Sequence, residues 1–254
     1  MNAPAGALIR QWRERRHLSQ LGLASRADVS TRHLSYIETG RSRPTPAMVL
    51  RLCAHLDVPL REQNRVLLAA GHAPAHPEHR LGDPPMAEVS AAVETILRAH
   101  EPYPALVLDR LWDLVSANDA LYALLGDLDD DVLAPPVNVI RLSLDPRGLA
   151  PRIVNLPEWR AHLAERLRRE HEASGDAGVG ALLELARDGR VDPAPAASLV
   201  VPLRLRVGAD TVLSLISTTT VFGTPREVTL SELAIEAFFP ADEPTRAILE
   251  GRRP

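Results

Sequence analysis

Apolar residues recur at helical spacing through the first seventy residues of the chain, in short runs separated by polar breaks. Between residues 7 and 16 they fall on one stripe, which predicts a first helix. Ser19 and Ser30 precede the next two runs as N-cap residues, Thr45 precedes a fourth, and residues 60–70 form a fifth. This pattern predicts an all-α domain of five helices.

A proline-rich segment follows these helices. Residues 72–85 contain four prolines, whose fixed φ and missing N–H prevent a regular helix or strand. From residue 86 to residue 100 the apolar positions return to helical spacing, which predicts an amphipathic helix. We therefore predict a helical domain at residues 1–71, a linker at 72–85 and a second domain at 86–254.

The second domain has a mixed pattern of helical and alternating runs. The β-branched runs on either side of residues 208–210 predict a β-hairpin. Residues 233–239 suit a strand with Glu232 and Glu236 facing outward, but so short a run is also compatible with a helix. The predicted strands are 105–109, 111–116, 198–207 and 211–222, and the predicted helices are 117–125, 137–142 and 157–172. The pattern therefore predicts an α+β class for this domain.

The two parts of the chain differ in charge. The whole chain has a formal charge of −4, but residues 1–80 hold 12 arginines and 6 acidic residues, whereas the remainder holds 17 arginines and 27 acidic residues. A basic part joined to an acidic one indicates that the first binds an anion, with nucleic acid as the first candidate. The hydrophobic share of 45% excludes a disordered chain.

Composition also excludes several kinds of site. Cys53 is the single cysteine, so neither an internal disulfide nor a thiolate zinc cluster can form. His72, His76 and His79 lie in the proline-rich segment without a thiolate or carboxylate cluster, so we expect no metal site there. Every apolar run is shorter than the ~18 residues of a membrane span, and we find no export signal. We therefore expect a cytoplasmic protein without membrane insertion.

The most specific motif lies between Gln20 and Gly40. Two short capped helices joined by a tight turn would present the first turn of the second helix to a DNA major groove. The run RQWRERRHLSQLGLASRADVSTRHLSYIETGRSRPTPAMVLRLCAHLDV contains the spine S-Q-x-x-L-A-x-x-A-x-V-S and the ending I-E-x-G-x-x-x-P. It resembles the lambda-repressor-like helix-turn-helix of xenobiotic-response-element-type bacterial regulators.

This resemblance implies that double-stranded DNA is a partner. Arg32 is the side chain best suited to read a base, because arginine pairs bidentately with guanine O6 and N7; the alternative is a phosphate contact. The resemblance also implies an internal ion pair between Arg13 and Glu38. The implied base-reading residues are Thr31, Arg32, Ser35 and Tyr36, and the implied contacts with the DNA backbone are Gln20, Thr39, Arg41 and Arg43.

The second domain also resembles a known family. The runs YPALVLDRLWDLVSANDALYALLG, NVIRL, RLRRE and TTTVFGTPREVTLSELAIEAFFPADEPT are similar to the ligand-binding domain of MmyB-like regulators, over residues 99–249. The resemblance implies a PAS-like sheet with flanking helices that senses a small molecule. It also implies that the ligand is a long-chain fatty acid or a similar lipid, with no other cofactor.

An α+β core of this kind can enclose a mostly apolar pocket with a few polar groups. Two arginines, Arg141 and Arg168, could meet a ligand carboxylate there. The alternative is core packing for each apolar candidate and a surface ion pair for each arginine. The candidate lining residues are Trp112, Leu114, Tyr122, Ile140, Arg141, Trp159, Leu163, Arg168, Ile216 and Phe222.

Three functions remain compatible with the sequence. The leading hypothesis is a homodimeric regulator that reads DNA and changes its operator affinity when a small apolar or fatty-acid-like ligand binds the second domain. In the second hypothesis, the C-terminal domain is a ligand-free module for dimerisation or protein interaction. The third, an enzyme tethered to DNA, is disfavoured because residues 99–254 supply no set of nucleophile, base and orienting group. We therefore expect no catalytic residues.

Overall fold

The computed structural model describes residues 3–126, 128–188 and 200–251. Contacts divide the chain into two units: residues 1–79 with 225–231, and residues 80–224 with 232–254.

The first unit contains the five predicted helices: α1 (Ala5–Arg15), α2 (Gln20–Arg26), α3 (Thr31–Glu38), α4 (Pro46–His55) and α5 (Leu60–Ala69). Their starts are fixed locally by the predicted caps. The hydroxyl of Ser19 accepts a hydrogen bond from the backbone N–H of Gly22 at 3.0 Å, and that of Ser30 accepts one from His33 at 3.1 Å. These bonds satisfy N–H groups that lack a partner within the helix, which is why serine favours this position.

Apolar side chains from all five helices form one core. They include Ile9, Leu23, Leu34, Leu52 and Leu67, each almost wholly buried. The predicted five-helix domain is therefore confirmed.

Cys53 belongs to this core. Burial raises the pKa of its thiol to about 12, so the reactive thiolate makes up a fraction on the order of 10⁻⁴ at pH 8. We expect a disulfide reagent such as Ellman's reagent to modify Cys53 at pH 8 only in urea that unfolds the helices. Rapid modification of the native protein, measured by absorbance, would contradict this burial.

Polar side chains of α5 hold the first half of the proline-rich segment. The side-chain amide of Asn64 donates to the carbonyl of His76 at 2.8 Å, and its oxygen accepts from the N–H groups of Ala75 and His76 at 3.0 and 3.1 Å. The ring of His76 is also hydrogen-bonded to Gln63 at 3.0 Å.

In the described parts of the chain, no group of three or more His, Cys, Asp or Glu side chains is arranged to hold a metal.

Residues 225–231 come from late in the sequence but belong to the first unit. The N–H of Val228 donates to the carbonyl of Pro77 at 2.9 Å, and the carboxylate of Glu227 accepts from the N–H of His79 at 2.7 Å. Residues 77–79, at the end of the segment that follows α5, are therefore hydrogen-bonded to residues 227–228 from the C-terminal half of the chain.

The second unit is an α+β structure, as predicted. Its helices are α6 (Ala87–Ala99), α7 (Asp119–Leu125), α8 (Val139–Leu144), α9 (Leu156–Ser174), α10 (Ala177–Arg187) and α12 (Glu243–Leu249); α11 (Val228–Glu232) begins in the first unit and ends in the second. Its strands are β1 (Ala105–Leu108), β2 (Leu114–Ala117), β3 (Leu203–Arg206), β4 (Val212–Val221) and β5 (Ala234–Pro240). The predicted hairpin is β3–β4, and Ser198, the predicted start of its first strand, lies outside the described residues.

Within the described residues, these strands form one antiparallel sheet in the order β2-β1-β5-β4-β3. The alternating segment 233–239 is therefore a strand, and β5 lies at the centre of the sheet. The PAS-like class implied by the resemblance is confirmed.

Both faces of the sheet are covered. In β1, Leu106 and Leu108 pack in the main core, whereas Ala105 and Val107 pack in a separate cluster with Val93 of α6. Because neighbouring residues of a strand point to opposite faces, each face has its own apolar layer. The layer that contains Leu106 and Leu108 also contains side chains from α7, α8 and α9.

The sequence pattern did not predict α10. Two glycines, Gly178 and Gly180, lie in its first turns, where glycine lowers helix propensity. Close packing favours them, because a Cβ at Gly178 would displace the end of the Leu111 side chain, and one at Gly180 would crowd the ring of His171. Asp176 caps the helix by accepting from the N–H of Gly178 at 2.7 Å.

Candidate DNA-binding surface and ligand cavity

One side of α3 is anchored in the core of the first unit and the other side is accessible. Leu34 and Ile37 are buried, whereas Arg32 is exposed and Ser35 and Tyr36 are half-buried. All four predicted base-reading side chains lie on this short capped helix, since Thr31 is its first residue. The structure therefore brings them to one accessible helix surface.

Tyr36 organises two of the arginines next to this surface. The guanidinium of Arg32 donates to the phenol oxygen of Tyr36 at 2.9 Å and lies 5.4 Å from the centre of its ring. The guanidinium of Arg41 lies 6.0 Å from the same ring. Both contacts are cation–π interactions that leave the arginine charge intact. This arrangement concentrates positive charge beside the exposed part of α3.

The ion pair between Arg13 and Glu38 ties α1 to the end of α3. Arg13 donates to both carboxylate oxygens of Glu38, at 2.7 and 2.9 Å, and to the carbonyl of Leu18 at 2.7 Å. The side chains are 10% and 1% exposed. The hydrogen bond to Glu38 raises the pKa of Arg13. Such a buried, fully bonded pair fixes the position of α3.

In the second unit, a cavity lies between the sheet and the helices that cover it. Its enclosed volume is about 80 Å³, and the empty space rises to about 730 Å³ when the open mouth is counted. The sheet contributes Leu106, Leu203, Leu205, Leu215, Glu236 and Phe238; the helices contribute Leu121, Leu124, Leu125, Val139, Ile140, Leu142, Ser143, Trp159 and Leu163; and Pro104, Trp112, Leu114 and Leu149 complete the wall. The wall is thus almost wholly apolar.

A small polar cluster adjoins this cavity. Glu236, which is 4% exposed, accepts a hydrogen bond from Arg166 at 2.8 Å. Arg166 also donates to the hydroxyl of Thr219 at 3.1 Å, and its guanidinium lies 4.5 Å from the ring of Trp112. The indole N–H of Trp112 donates to Glu170 at 2.7 Å, and burial raises the pKa of Glu170.

Family models match both parts of the chain. A helix-turn-helix domain model matches residues 5–66, and the model of the MmyB-like transcription regulator ligand-binding domain matches residues 89–251. The chain belongs to the MmyB-like transcription regulators. The helices α1 to α5 are therefore its DNA-binding domain, and the sheet with its cavity lies within the MmyB-like ligand-binding domain.

Two further comparisons were made. A search of curated proteins found no match. Among solved structures, the chain is similar to one described as an RNA-binding light-oxygen-voltage receptor, with 14% identity and a TM-score of 0.31. That match covers 98% of this chain, which spans 60% of the length of the other. In the described part of the chain, no helix is both long and apolar enough to cross a membrane.

Two of the implied DNA-backbone contacts, Gln20 and Arg43, also have hydrogen-bond partners within the protein. The side-chain amide of Gln20 donates to the buried Glu38 at 2.8 Å and so belongs to the ion-pair network. Arg43 donates to the carbonyls of Ala70 and Gly71, at 2.6 and 2.9 Å, and so caps the end of α5. Both side chains are held by partners distant in sequence.

The other two implied backbone contacts, Thr39 and Arg41, are exposed, as is Arg43. Thr39 donates through its hydroxyl to the carbonyl of Ser35 at 2.7 Å, which caps the end of α3. The backbone N–H of Arg41 donates to the carbonyl of Tyr36 at 2.8 Å, but its side chain has the ring contact with Tyr36 and no hydrogen bond or ion pair within the described residues. Of the four, Arg41 therefore has the side chain best placed to meet a phosphate.

Five of the ten predicted lining residues of the MmyB-like domain line the cavity: Trp112, Leu114, Ile140, Trp159 and Leu163. The other predicted aromatic and aliphatic residues lie elsewhere. Tyr122 is 51% exposed, because Leu121 and Leu125 use the inner side of the same helix. Ile216 points to the opposite face of the sheet from Leu215, and Phe222 packs in the cluster beneath α6.

The two arginines predicted to meet a carboxylate are also outside the cavity. Arg141 is exposed between two inward-facing residues of α8. Arg168 pairs with Glu165 and Glu172 at 2.8 and 2.6 Å on the outer side of α9. Hydrogen bonds from Arg168 and Arg169 lower the pKa of Glu165 to about 2. Arg168 thus forms a surface ion pair, which was the alternative to a contact with a ligand carboxylate.

The polar residues at the cavity, Arg166 and Glu236, were missed. Arg166 lies seven residues after Trp159 and three residues after Leu163, so all three share one side of α9. The helical spacing in the sequence could therefore have indicated that Arg166 lies near the cavity. Glu236 was predicted to face outward, and this prediction was wrong. It shares the cavity face of β5 with Phe238, whereas Ile235 packs beneath α6.

Proposed function

We propose that this transcription regulator binds its operator through α3 and Arg41, and that occupation of the MmyB-like cavity by a small apolar or amphipathic ligand changes the affinity for that operator. The observation that carries the proposal is the apolar cavity in a chain that also presents a recognition-type helix with exposed arginine. A homodimer is expected, because one such helix reads only a half-site and two-fold pairing sets half-sites about 10 base pairs apart or a multiple. No catalytic step is part of this proposal.

The ligand half of this proposal is tested by extracting the purified full-length protein with organic solvent and identifying what is released by mass spectrometry. We expect a lipid-sized molecule in amounts comparable to the protein. The matched control is a preparation of Leu124→Trp, which narrows the cavity and should release none. Equal recovery from both preparations would show that the molecule lies outside the cavity. An empty wild-type domain that also binds no added hydrophobic compound would favour an interaction module.

Arg32 and Arg41 are expected to contribute to DNA binding in different ways. Arg32→Ala should relax the base preference at one position of each half-site, because a bidentate arginine contributes about 1–3 kcal/mol of discrimination. Arg41→Ala should weaken binding to all sequences alike and lower the slope of log K against log salt by about one unit. Selection of bound sequences from a random DNA pool, followed by salt titrations, measures both effects.

The control for these two variants is Arg43→Ala, since Arg43 is bonded to α5. We expect it to lower the melting temperature of the first unit and leave base preference as it is. A base preference unchanged by Arg32→Ala would contradict the assignment of Arg32. A salt slope that changes in Arg43→Ala but not in Arg41→Ala would reverse the assignment of the phosphate contact.

A further inference from the structure

The connection between β4 and β5 passes out of the second unit and returns to it. Phe222 and Leu233, near its two ends, pack in the apolar cluster beneath α6, whereas residues 225–231 belong to the first unit. We call residues 225–231 the clip. Two strands that line the cavity are thus continuous in the chain with a segment of the unit that contains the DNA-binding helices.

The clip is bonded to residues 77–79 chiefly through Glu227. One carboxylate oxygen of Glu227 accepts from the N–H of His79 at 2.7 Å, and the other accepts from the N–H of Leu230 at 2.6 Å. The N–H of Val228 donates to the carbonyl of Pro77 at 2.9 Å. Glu227 and Val228 are both buried, so water competes little for these hydrogen bonds.

The segment that the clip holds is also bonded to α5. Asn64 has three hydrogen bonds to the backbone of residues 75–79, and Arg61 donates to Glu78 at 2.5 Å. The helix α5 in turn packs in the core of the DNA-binding domain through Leu67. A change in the clip therefore acts on a segment that is fixed directly to the DNA-binding helices.

The strands on either side of the clip are bonded to each other and to α9 at the cavity. Glu236 lines the cavity and lies opposite Thr219 in the β4–β5 ladder, and Arg166 donates to both side chains. The last pair of this ladder, Val221 with Ala234, lies two residues further along each strand. A displacement of Glu236 therefore moves the strand ends from which the clip extends.

The cavity has to widen to accept a ligand. Its enclosed volume is about 80 Å³, whereas small-molecule sites usually measure about 300–1,000 Å³. The sheet and the helices α7, α8 and α9 form its walls, and the bond from Arg166 to Glu236 joins the sheet to α9 beside it. Because widening moves these walls apart, it displaces β4 and β5 near the clip.

We propose that the clip couples the cavity to the operator: it holds residues 77–79 in the ligand-free protein and releases them when a ligand widens the cavity. This inference rests on the proposed function, because it names the regulation of the same cavity. The hydrogen bonds of Glu227 and Val228 are either made or broken, so the clip has a closed and an open state. A ligand that favours the open state shifts the population toward it.

Glu227→Ala should open the clip without any ligand, because it removes the acceptors for His79 and Leu230. In the full-length protein, we expect hydrogen exchange in the peptides that contain these two residues to become about fivefold faster, measured by mass spectrometry. The dissociation constant for the selected operator should change by about fivefold or more. The matched control is Glu78→Ala, which removes the same charge from the held segment but only a half-exposed ion pair. It should behave as the wild type in both measurements.

The link to the cavity is tested with decanamide, an amphipathic compound, at a concentration that equilibrium dialysis shows to be saturating. In the wild type, decanamide should speed exchange in the same peptides and change the operator affinity in the same direction as Glu227→Ala. The variant should bind decanamide as tightly as the wild type, since Glu227 is not among the described residues that line the cavity. Its operator affinity should no longer respond to the compound.

A wild-type response to decanamide in Glu227→Ala, or unchanged exchange in the saturated wild type, would overturn the clip and leave the proposed function standing. An operator affinity of the wild type that ignores bound decanamide would overturn both. If decanamide does not bind, the ligand-free comparison decides, because equal operator affinities of Glu227→Ala and Glu78→Ala overturn the clip. If Glu227→Ala does not fold, Glu227→Gln replaces it; this variant keeps one acceptor oxygen, and wild-type exchange and coupling in it would overturn the clip.

Discussion

Replacement of Glu38 by alanine is expected to lower the free energy of unfolding of the DNA-binding unit by about 3–5 kcal/mol, which is the usual cost of leaving one charge of a buried pair without its partner. Arg13 would lose two hydrogen bonds while its side chain stays almost buried. Gln20 would lose its acceptor as well. Because a domain of this size has a stability of only about 5–15 kcal/mol, this loss removes a large share of it, and the variant should lose specific DNA binding at a lower temperature than the wild type.

Urea unfolding followed by circular dichroism, with DNA binding measured on the same samples, checks this expectation. Glu14→Ala is the matched control, since Glu14 belongs to the same helix as Arg13, is hydrogen-bonded to Arg10 at the surface, and lies 3.8 Å from the Arg13 guanidinium in a partly exposed contact. It should unfold at nearly the wild-type urea concentration, because exposed ion pairs contribute little. Similar unfolding midpoints for Glu38→Ala and Glu14→Ala would show that the buried pair does not hold α3 in place.

Leu124→Trp is expected to remove ligand binding without unfolding the MmyB-like domain. Leu124 is half-buried on α7 and lines the cavity, so a larger ring can enter the space while the helix keeps its place. Filling the apolar volume removes the surface against which a ligand tail packs, worth about 25 cal/mol per Å². We expect a loss of at least 100-fold in the affinity for decanamide, a small amphipathic probe of the proposed ligand class, measured by equilibrium dialysis.

Tyr122→Trp is the control for the introduction of a tryptophan into α7, because Tyr122 lies on the same helix but is exposed. It should bind decanamide with the wild-type affinity. If Leu124→Trp bound the compound as tightly as Tyr122→Trp, the binding site would have to lie elsewhere in the chain. Thermal melts of both variants establish that the domain remains folded.

The helical unit was predictable because its signals are local. The hydroxyls of Ser19 and Ser30 cap helices within three residues, and Gly40, with φ of 74°, ends α3 as the sequence motif requires. The roles of Gln20 and Arg43 were not predictable in this way. Their partners lie 18 and 27 residues away in sequence, so only the packing of the helices brings them together.

The strands were predictable, but their faces were not. Alternation indicates which residues share a face, yet it identifies the inner face only when the other face meets water. Here α6 covers one face and the cavity lies on the other, so Ile235 and Glu236 are both buried on opposite sides. The apolar residues of β5 were predicted to face inward, and Glu236 was therefore predicted to face outward. The same ambiguity between the two faces led to the prediction that Ile216 lines the pocket.

We propose that occupation of the cavity and binding of the operator are coupled. The most direct test is the dissociation constant of the full-length protein for its selected operator, by fluorescence anisotropy at fixed salt, with and without decanamide at a concentration that dialysis shows to saturate the domain. We expect at least a fivefold change in the dissociation constant of the wild type, which is the lower end of allosteric coupling, and no change for Leu124→Trp. An identical dissociation constant for the saturated and ligand-free wild-type protein would contradict it.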